Sequence, residues 1–495
     1  MLKGLQKIKR EMEDRQVHIN LNDRTLFGNE AGEDEDIAIL NSYFLDKTIF
    51  DDFYDESNKL AVISGRKGMG KSALLSKLEY LLLEGKKYVN PIVIRTTGPE
   101  LLGLGNFDDM NEIQLENYWR QIICKRINLE IGKNLKFAFS DDAMTMVESA
   151  EIDNMKSENI LTALISRLGS KLPFTELEKK RKIPNDSKAL LQRYQDEHEN
   201  SKVWILIDDI DAKFQNNKQY QDIVSSFFSA VRSLIKINNL NIRASVRTDV
   251  WSSLTHIEDL DKWEQYITEI TWTRNEMKEI LAKRILSYLI RNHSNSLEAQ
   301  YDYQTQSDAL FNLVFEKTFH WSNRPQEFYK PLTVLANKRP RWMGQLCNLA
   351  AKNAVESKND KITAKNVVDI LEDYGKNRVA DLKKEHIHQF SLIKELTSAF
   401  RSGERAYKLD ELLNLIIERF EKVYTPYSHI VDGATYNTRH IAGFLYKVGF
   451  ISMVEDENTY INFQDDPDLF DSYENNLNNL TWAIHPSYRN HLRIK

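Results

Sequence analysis

The stretch "AVISGRKGMGKSALL", residues 61–75, decides how the rest of the chain is read. It satisfies the pattern G-x-x-x-x-G-K-[ST] with Gly65, Gly70, Lys71 and Ser72. In such a loop the glycines let backbone N–H groups curl around phosphate oxygens. The lysine neutralises the β and γ phosphates, and the serine hydroxyl suits magnesium. The surroundings fit: "KLAVIS" reads as a short apolar strand, "GKSALLSKLEYLLLEG" as a helix that starts on the loop and stops at Gly85, and "NPIVIRTT" as the next strand. Strand, loop, helix and strand make a βαβ unit, which implies a parallel sheet. Gly65, Arg66, Lys67, Gly68, Met69, Gly70, Lys71, Ser72 and Ala73 are therefore the candidate nucleotide-binding residues, with ATP and Mg2+ as the expected cofactors.

A phosphate loop needs an acid to hold magnesium. The run "VWILIDDID" offers apolar residues ending in aspartate, so Asp208 is expected to contact the ion through water, beside Ser72. Asp209, next along a strand, should point to the opposite side and orient the attacking water, with Asp211 as the alternative. Hydrolysis also needs positive charge on the γ-phosphate. The candidates are Arg247 in "RASVRTDVW" and Arg339 and Arg341 in "ANKRPRWMGQLCNLAAKNAV", where Pro340 suits a first helical turn. Beyond the loop no N-K-x-D guanine reader follows, since "NNKQY" and "NKRP" lack its aspartate, so adenine is the expected base.

The bulk numbers bound the rest. A chain of 495 residues, 41% hydrophobic, can bury more than one core. Its net charge of −6 argues against a surface coated in positive charge for nucleic acid. Cys124 and Cys347 stand far apart, without the companion spacing of a zinc site, and fit a reducing, cytoplasmic setting. The start "MLKGLQKIKREMEDRQ" alternates apolar and charged residues like an amphipathic helix and lacks a signal-peptide core. No run of about 18 apolar residues occurs, so no membrane span is expected.

The chain divides into four expected parts. Residues 1–58 are a polar lead-in with helical spacing at Ile37, Leu40, Phe44 and Phe50. Residues 59–272 form the ATPase core, in which "KVWILIDDID", "YQDIVSSFFSAVRSLIKIN" and "LNIRASVRTDVW" read as strand, helix and strand. The charged segment "ELEKKRKIPND" within it reads as a solvated turn. Residues 273–384 read as a helical lid. Residues 385–495 carry two amphipathic helices, "HIHQFSLIKELTSAF" and "LDELLNLIIERF", before "TYNTRHIAGFLYKVGFISMVEDENTYINF", a helix running into a β-hairpin in the order of a winged helix. The expected fold class is an α/β P-loop NTPase with a parallel sheet and helical lid, followed by a mostly helical region ending in a winged helix.

The phosphate loop, the Asp-Asp strand, "SVRTDVW", "TEITWTRNEMKEILAKRI" and "RPRWMGQLCNLA" together resemble the bacterial P-loop ATPases of the AAA+/STAND superfamily. Within it the chain resembles a family that carries an "FGN.A.ED" block upstream of a "GRKG.GKSA" loop, here "FGNEAGEDED" and "GRKGMGKSA". The likeness covers about residues 26–375, and the closing "TWAIHPSYRNHLRI" is similar to winged helices of origin-recognition relatives. The resemblance implies an ATP-binding core whose nucleotide switches packing or assembly, and it places Phe27, Gly28 and Asn29 near the adenine. It also suggests a phage-defence setting, by association of such genes. Asp209 departs from it, because many AAA+ proteins have a longer glutamate there, which favours slow turnover.

These features support a slow switch or assembly ATPase, as a homo-oligomer or with a protein effector. The rival readings are a DNA-engaging initiator or recombination ATPase and a non-hydrolysing ATP-bound scaffold. The acidic "SMVEDENTY" and "QDDPDLFDSYE" oppose phosphate contact and favour protein over DNA, although Arg439 and His440 precede them on the helix. No carboxylate pair with a downstream E-x-K marks a nuclease.

Overall fold

The computed structural model describes residues 17–29, 32–85, 91–103, 107, 110–134, 187–197, 202–212, 218–254, 260–321, 324–424, 430–431, 434–435, 437–456, 459–472 and 479–495. The amphipathic start 1–16 and the charged segment 176–186 lie outside these residues. The rest forms two compact units. One comprises residues 47–65 and 74–269; the other comprises the described residues up to Asp46, together with 66–73 and 270–495.

The first unit is built on a five-stranded sheet of β1 (Leu60–Ser64), β2 (Ile92–Thr97), β3 (Val203–Asp208), β4 (Leu240–Val246) and β5 (Ile267–Glu269), in the order β2-β3-β4-β1-β5. Every pairing is parallel. All residues of β1, β3 and β4 are buried, as expected of parallel strands covered on both faces, and this is why they read as unbroken apolar runs. Helices Glu112–Asn134 and Lys218–Leu234 pack together beside the sheet. Trp119 is fully buried there, its ring edge-on to Phe227 at 5.1 Å and its Nε1–H donating to the Ile223 carbonyl at 2.8 Å. One cation sits in this core. Arg243 on β4 donates to the Phe53 and Asp55 carbonyls, each at 2.6 Å, and lies 4.8 Å from the Trp204 ring.

The second unit is mostly helical. Helix Arg274–Asn292 begins at a capping box in which Thr273 and Glu276 satisfy each other's amides, as the run "TRNE" would suggest. Helix Pro340–Glu356 follows with proline at its first position. Helix Leu371–His386 packs on the closing helix Pro486–Leu492. Gly375 permits that approach: an added Cβ would come within 2.9 Å of the Ser487 carbonyl oxygen. The helix Thr438–Lys447 runs into the antiparallel strands Ile451–Asp456 and Thr459–Ile461, which join Thr481–Ile484 and Ala406–Lys408 in one sheet.

Several expected boundaries move. The lead-in helix covers only Ile37–Tyr43; Phe44 leaves it in extended backbone, and Phe50 closes a separate 3-10 turn. The run "LNIRASVRTDVW" is a strand only to Val246, and Thr248–Leu254 is already a helix. The lid is not wholly helical, since Thr318–Trp321 and Arg324–Glu327 pair antiparallel. "HIHQFSLIKELTSAF" is not one helix: the preceding helix ends at His386 and the next starts at Ile393.

Candidate nucleotide site

The loop after β1 has the local geometry of an anion cradle. Gly68 and Gly70 adopt left-handed backbone with φ of +82° and +103°, and helix Lys71–Leu83 starts directly behind them. Left-handed residues before a helix start turn successive N–H groups inward, where phosphate oxygens are bound. A Cβ at Gly70 would meet nothing within 4 Å, so the loop is open on that side and the backbone angle alone demands glycine. Lys71 is the first helical residue and is 7% exposed; Ser72 is the second. These residues fit a nucleoside phosphate and its magnesium.

The loop is held from elements far along the chain. Arg341 donates its N–H to the Gly68 carbonyl at 3.2 Å, and its Cβ lies 3.1 Å from where a Gly68 side chain would begin. Trp272 Nε1–H donates to the Met69 carbonyl at 2.8 Å. The Arg66 guanidinium turns to the C-terminal sheet region, donating to the Lys447 carbonyl at 2.5 Å and lying 5.5 Å from the Phe463 ring. Arg339, 2% exposed, pairs through Nη1 with Glu385 at 2.8 Å and donates to the Lys67 carbonyl at 3.3 Å. Burial works to lower the pKa of this guanidinium, but Glu385, Tyr488 and Asp381 together more than offset it and raise it, so it stays charged.

The upstream block reaches the same loop. A Cβ on Gly32 would come within 2.9 Å of the Ala73 Cβ. Phe27 is buried at 1% exposure, and Gly28 takes a φ of +72° beneath Glu35 and Tyr43. Asn29 donates its N–H to Glu35 Oε2 at 2.5 Å, and the Tyr43 hydroxyl donates to the same oxygen at 3.0 Å. Arg284 of helix Arg274–Asn292 lies 5.1 Å from the Tyr43 ring and 7% exposed, its Nε and Nη1 without hydrogen-bond partners among the described residues. Thus residues 66–73, the Phe27–Asn29 block, Arg339 and Arg341 belong to one compact unit.

The acids and Arg247 belong to the other. Asp208 ends β3 buried, pairing with Arg95 Nη2 at 2.9 Å and accepting from Ser245 of the neighbouring β4. Asp209 is not the next residue of a strand: β3 stops at Asp208, and Asp209 is exposed with a φ of +47°. Its N–H donates to Asp208 Oδ1 at 3.0 Å and to Ser245 Oγ at 2.9 Å, so the alternation expected to aim its side chain does not apply. Asp211 is 1% exposed and takes Arg247 Nε at 2.5 Å, which ties two candidates to each other.

Sequence reading missed Glu385, Trp272, Arg66 as a side-chain tie, Arg95 and Arg284. Arg95 carried a signal, because a charged residue inside "NPIVIRTT" needs a partner. The others are joined only by folding. Among the described residues no group of three or more His, Cys, Asp or Glu is placed to hold a metal ion, and no helix is long and apolar enough to cross a membrane.

No protein-family model matches the chain, and no curated protein does. Solved structures do. The ORC2 protein of Aeropyrum pernix, in ADPNP–ADP complexes, is 11% identical over 86% of this chain and 84% of that one, with a TM-score of 0.39. Cdc6p of Pyrobaculum aerophilum is 13% identical over 92% and 96%, with a TM-score of 0.31. The RuvB Holliday junction branch migration motor of Thermotoga maritima is 12% identical over 82% and 84%, with a TM-score of 0.29. At such values none of them fixes a role for a residue here.

Proposed function

We propose that the chain binds ATP with magnesium, hydrolyses it slowly, and acts as a nucleotide-dependent switch or assembly factor. The observation that carries this reading is the loop itself: left-handed Gly68 and Gly70 between β1 and a helix that opens on Lys71 and Ser72. Bound there, the magnesium would supply charge neutralisation on the phosphates. Lys71 is assigned to the β and γ phosphates, Ser72 to the metal and Asp208 to the metal through water. Phe27, Gly28 and Asn29 are assigned to the adenine. Arg341, whose backbone N–H lies on the Gly68 carbonyl, and Arg339, whose Nη1 lies on the Lys67 carbonyl, are the arginines best supported for the phosphates; Arg247 is paired with Asp211.

Slow turnover follows from Asp209, which is short and held in a turn by its own backbone. The switch reading follows from the ties that run from the loop to Lys447, Phe463 and Glu385. A protein partner or a second copy is favoured over DNA because Glu455 and Asp456 are exposed at the end of the strand after helix Thr438–Lys447. The defence setting rests on the sequence resemblance and is tested by phage plaque counts with and without the chain expressed.

The test of the activity is Mg2+-dependent release of phosphate from ATP, with molecular mass followed in parallel, for the protein and for Lys71→Ala. Turnover should fall at least about 100-fold in the variant, as expected when a transition-state charge partner is removed. ATP-dependent assembly should fall with it. Equal turnover in both proteins would contradict the reading, and binding without turnover would leave a nucleotide-held scaffold.

A further inference from the structure

The Glu385–Arg339 pair brackets a single residue of the phosphate loop. Lys67 donates its N–H to Glu385 Oε1 at a long 3.4 Å, and its carbonyl accepts from Arg339 Nη1 at 3.3 Å. The same Nη1 reaches Glu385 Oε2 at 2.8 Å. Carboxylate and guanidinium are 1% and 2% exposed, so water does little to screen either. Two donors that suit a phosphate oxygen, a loop amide and one N–H of an arginine fork, are therefore engaged by a carboxylate. A third donor stands beside them: Arg339 Nη2 is buried without a hydrogen-bond partner among the described residues.

We propose that Glu385 is a positioning residue that sets the preference between nucleoside triphosphate and diphosphate, its carboxylate competing with the terminal phosphate for Arg339 and the Lys67 amide. This rests on the nucleotide-binding reading above. A carboxylate and a phosphate are both anions that accept from an arginine fork, and they repel each other in a buried setting. Bound ATP draws Arg339 towards itself and loosens the end of helix Leu371–His386. ADP carries one phosphate fewer and leaves the pair closed. The ion pair thus carries the state of the loop into the C-terminal region, to which Arg66 is tied separately through Lys447.

Equilibrium titration of the full chain with MgATP and MgADP tests this in wild type, Glu385→Gln and Glu385→Asp. Glutamine keeps the shape and an oxygen that accepts the Lys67 N–H, but removes the charge. It should tighten ATP about tenfold and ADP no more than about twofold, while aspartate retains a ratio near that of wild type. An unchanged ratio in Glu385→Gln, or equal loss for both nucleotides, overturns the proposal. Absence of binding by wild type, or equal binding by Lys71→Ala, overturns instead the reading on which it rests. Should Glu385→Gln not fold, amide exchange on the wild-type chain decides: peptides over residues 380–392 must exchange faster with ATP than with ADP, and equal exchange contradicts the proposal.

Discussion

The acids at the ends of the parallel strands and the phosphate loop solve the same problem, a charged group inside a fold, by opposite means. Asp208 takes Arg95 and Ser245 from the strands on either side, and Asp211 takes Arg247 from the end of β4. Those partners come with the sheet: wherever β2, β3 and β4 pair, they must meet. The loop instead takes its partners from residues 272, 339, 341, 385 and 447. The acids are thus held by neighbours within the sheet, whereas the loop is held by residues far along the chain.

The largest expected effect is at Arg247. Arg247→Ala leaves Asp211 buried without its cation, and stability should fall by about 3–5 kcal/mol in urea unfolding. Peptide-resolved amide exchange should place the loss in β3 and β4. A loss under about 1 kcal/mol, the value for an exposed pair, would mean the acid is not held as a scaffold element.

Arg66→Ala probes the other side. It removes a charged hydrogen bond to the Lys447 carbonyl and the stacking on Phe463, with an expected loss of about 1.5–3 kcal/mol. Exchange should rise in helix Thr438–Lys447 and the strands after it. If only the loop responds, the tie is not a coupling.

The remaining expected effect is one of pH. Burial, then Arg489 and Arg339, push the His485 imidazole down to about 3 from an ordinary 6.5. The folded chain then binds fewer protons than the unfolded one at any pH between these values. Stability is full above about pH 6.5 and declines as the pH falls towards 3, by about 1.4 kcal/mol per unit from this group. His485→Gln should flatten that slope in unfolding curves from pH 7 to 5. An unchanged slope would place the sensitivity elsewhere.

What the sequence shows plainly is local. "AVISGRKGMGKSALL" places strand, loop and helix because glycine freedom, apolar runs and helix periodicity act over a few residues. Four of the five strands of the sheet and the helix-to-hairpin order near the C-terminus are legible for the same reason; the three-residue β5 is too short to show a pattern. The pair Thr318–Trp321 and Arg324–Glu327 is not, because its strands are four residues long and one contains Pro325. Asp209 was misplaced because alternation holds only while the strand lasts, and β3 ends one residue earlier. Arg339 reads as a phosphate ligand from its place beside Pro340, and its pairing with Glu385, 46 residues on, appears only on folding. Spacing in sequence carries no trace of such a partner.

We propose that the loop at Lys71 binds nucleotide. Calorimetric titration of the full chain with MgATP tests it most directly, beside Lys71→Ala at equal protein concentration and with folding checked by circular dichroism. The account predicts one saturable site in the wild-type chain, weakened at least about tenfold in the variant by loss of a charged contact to phosphate. Heats that are the same in both proteins, or absent from both, would contradict it.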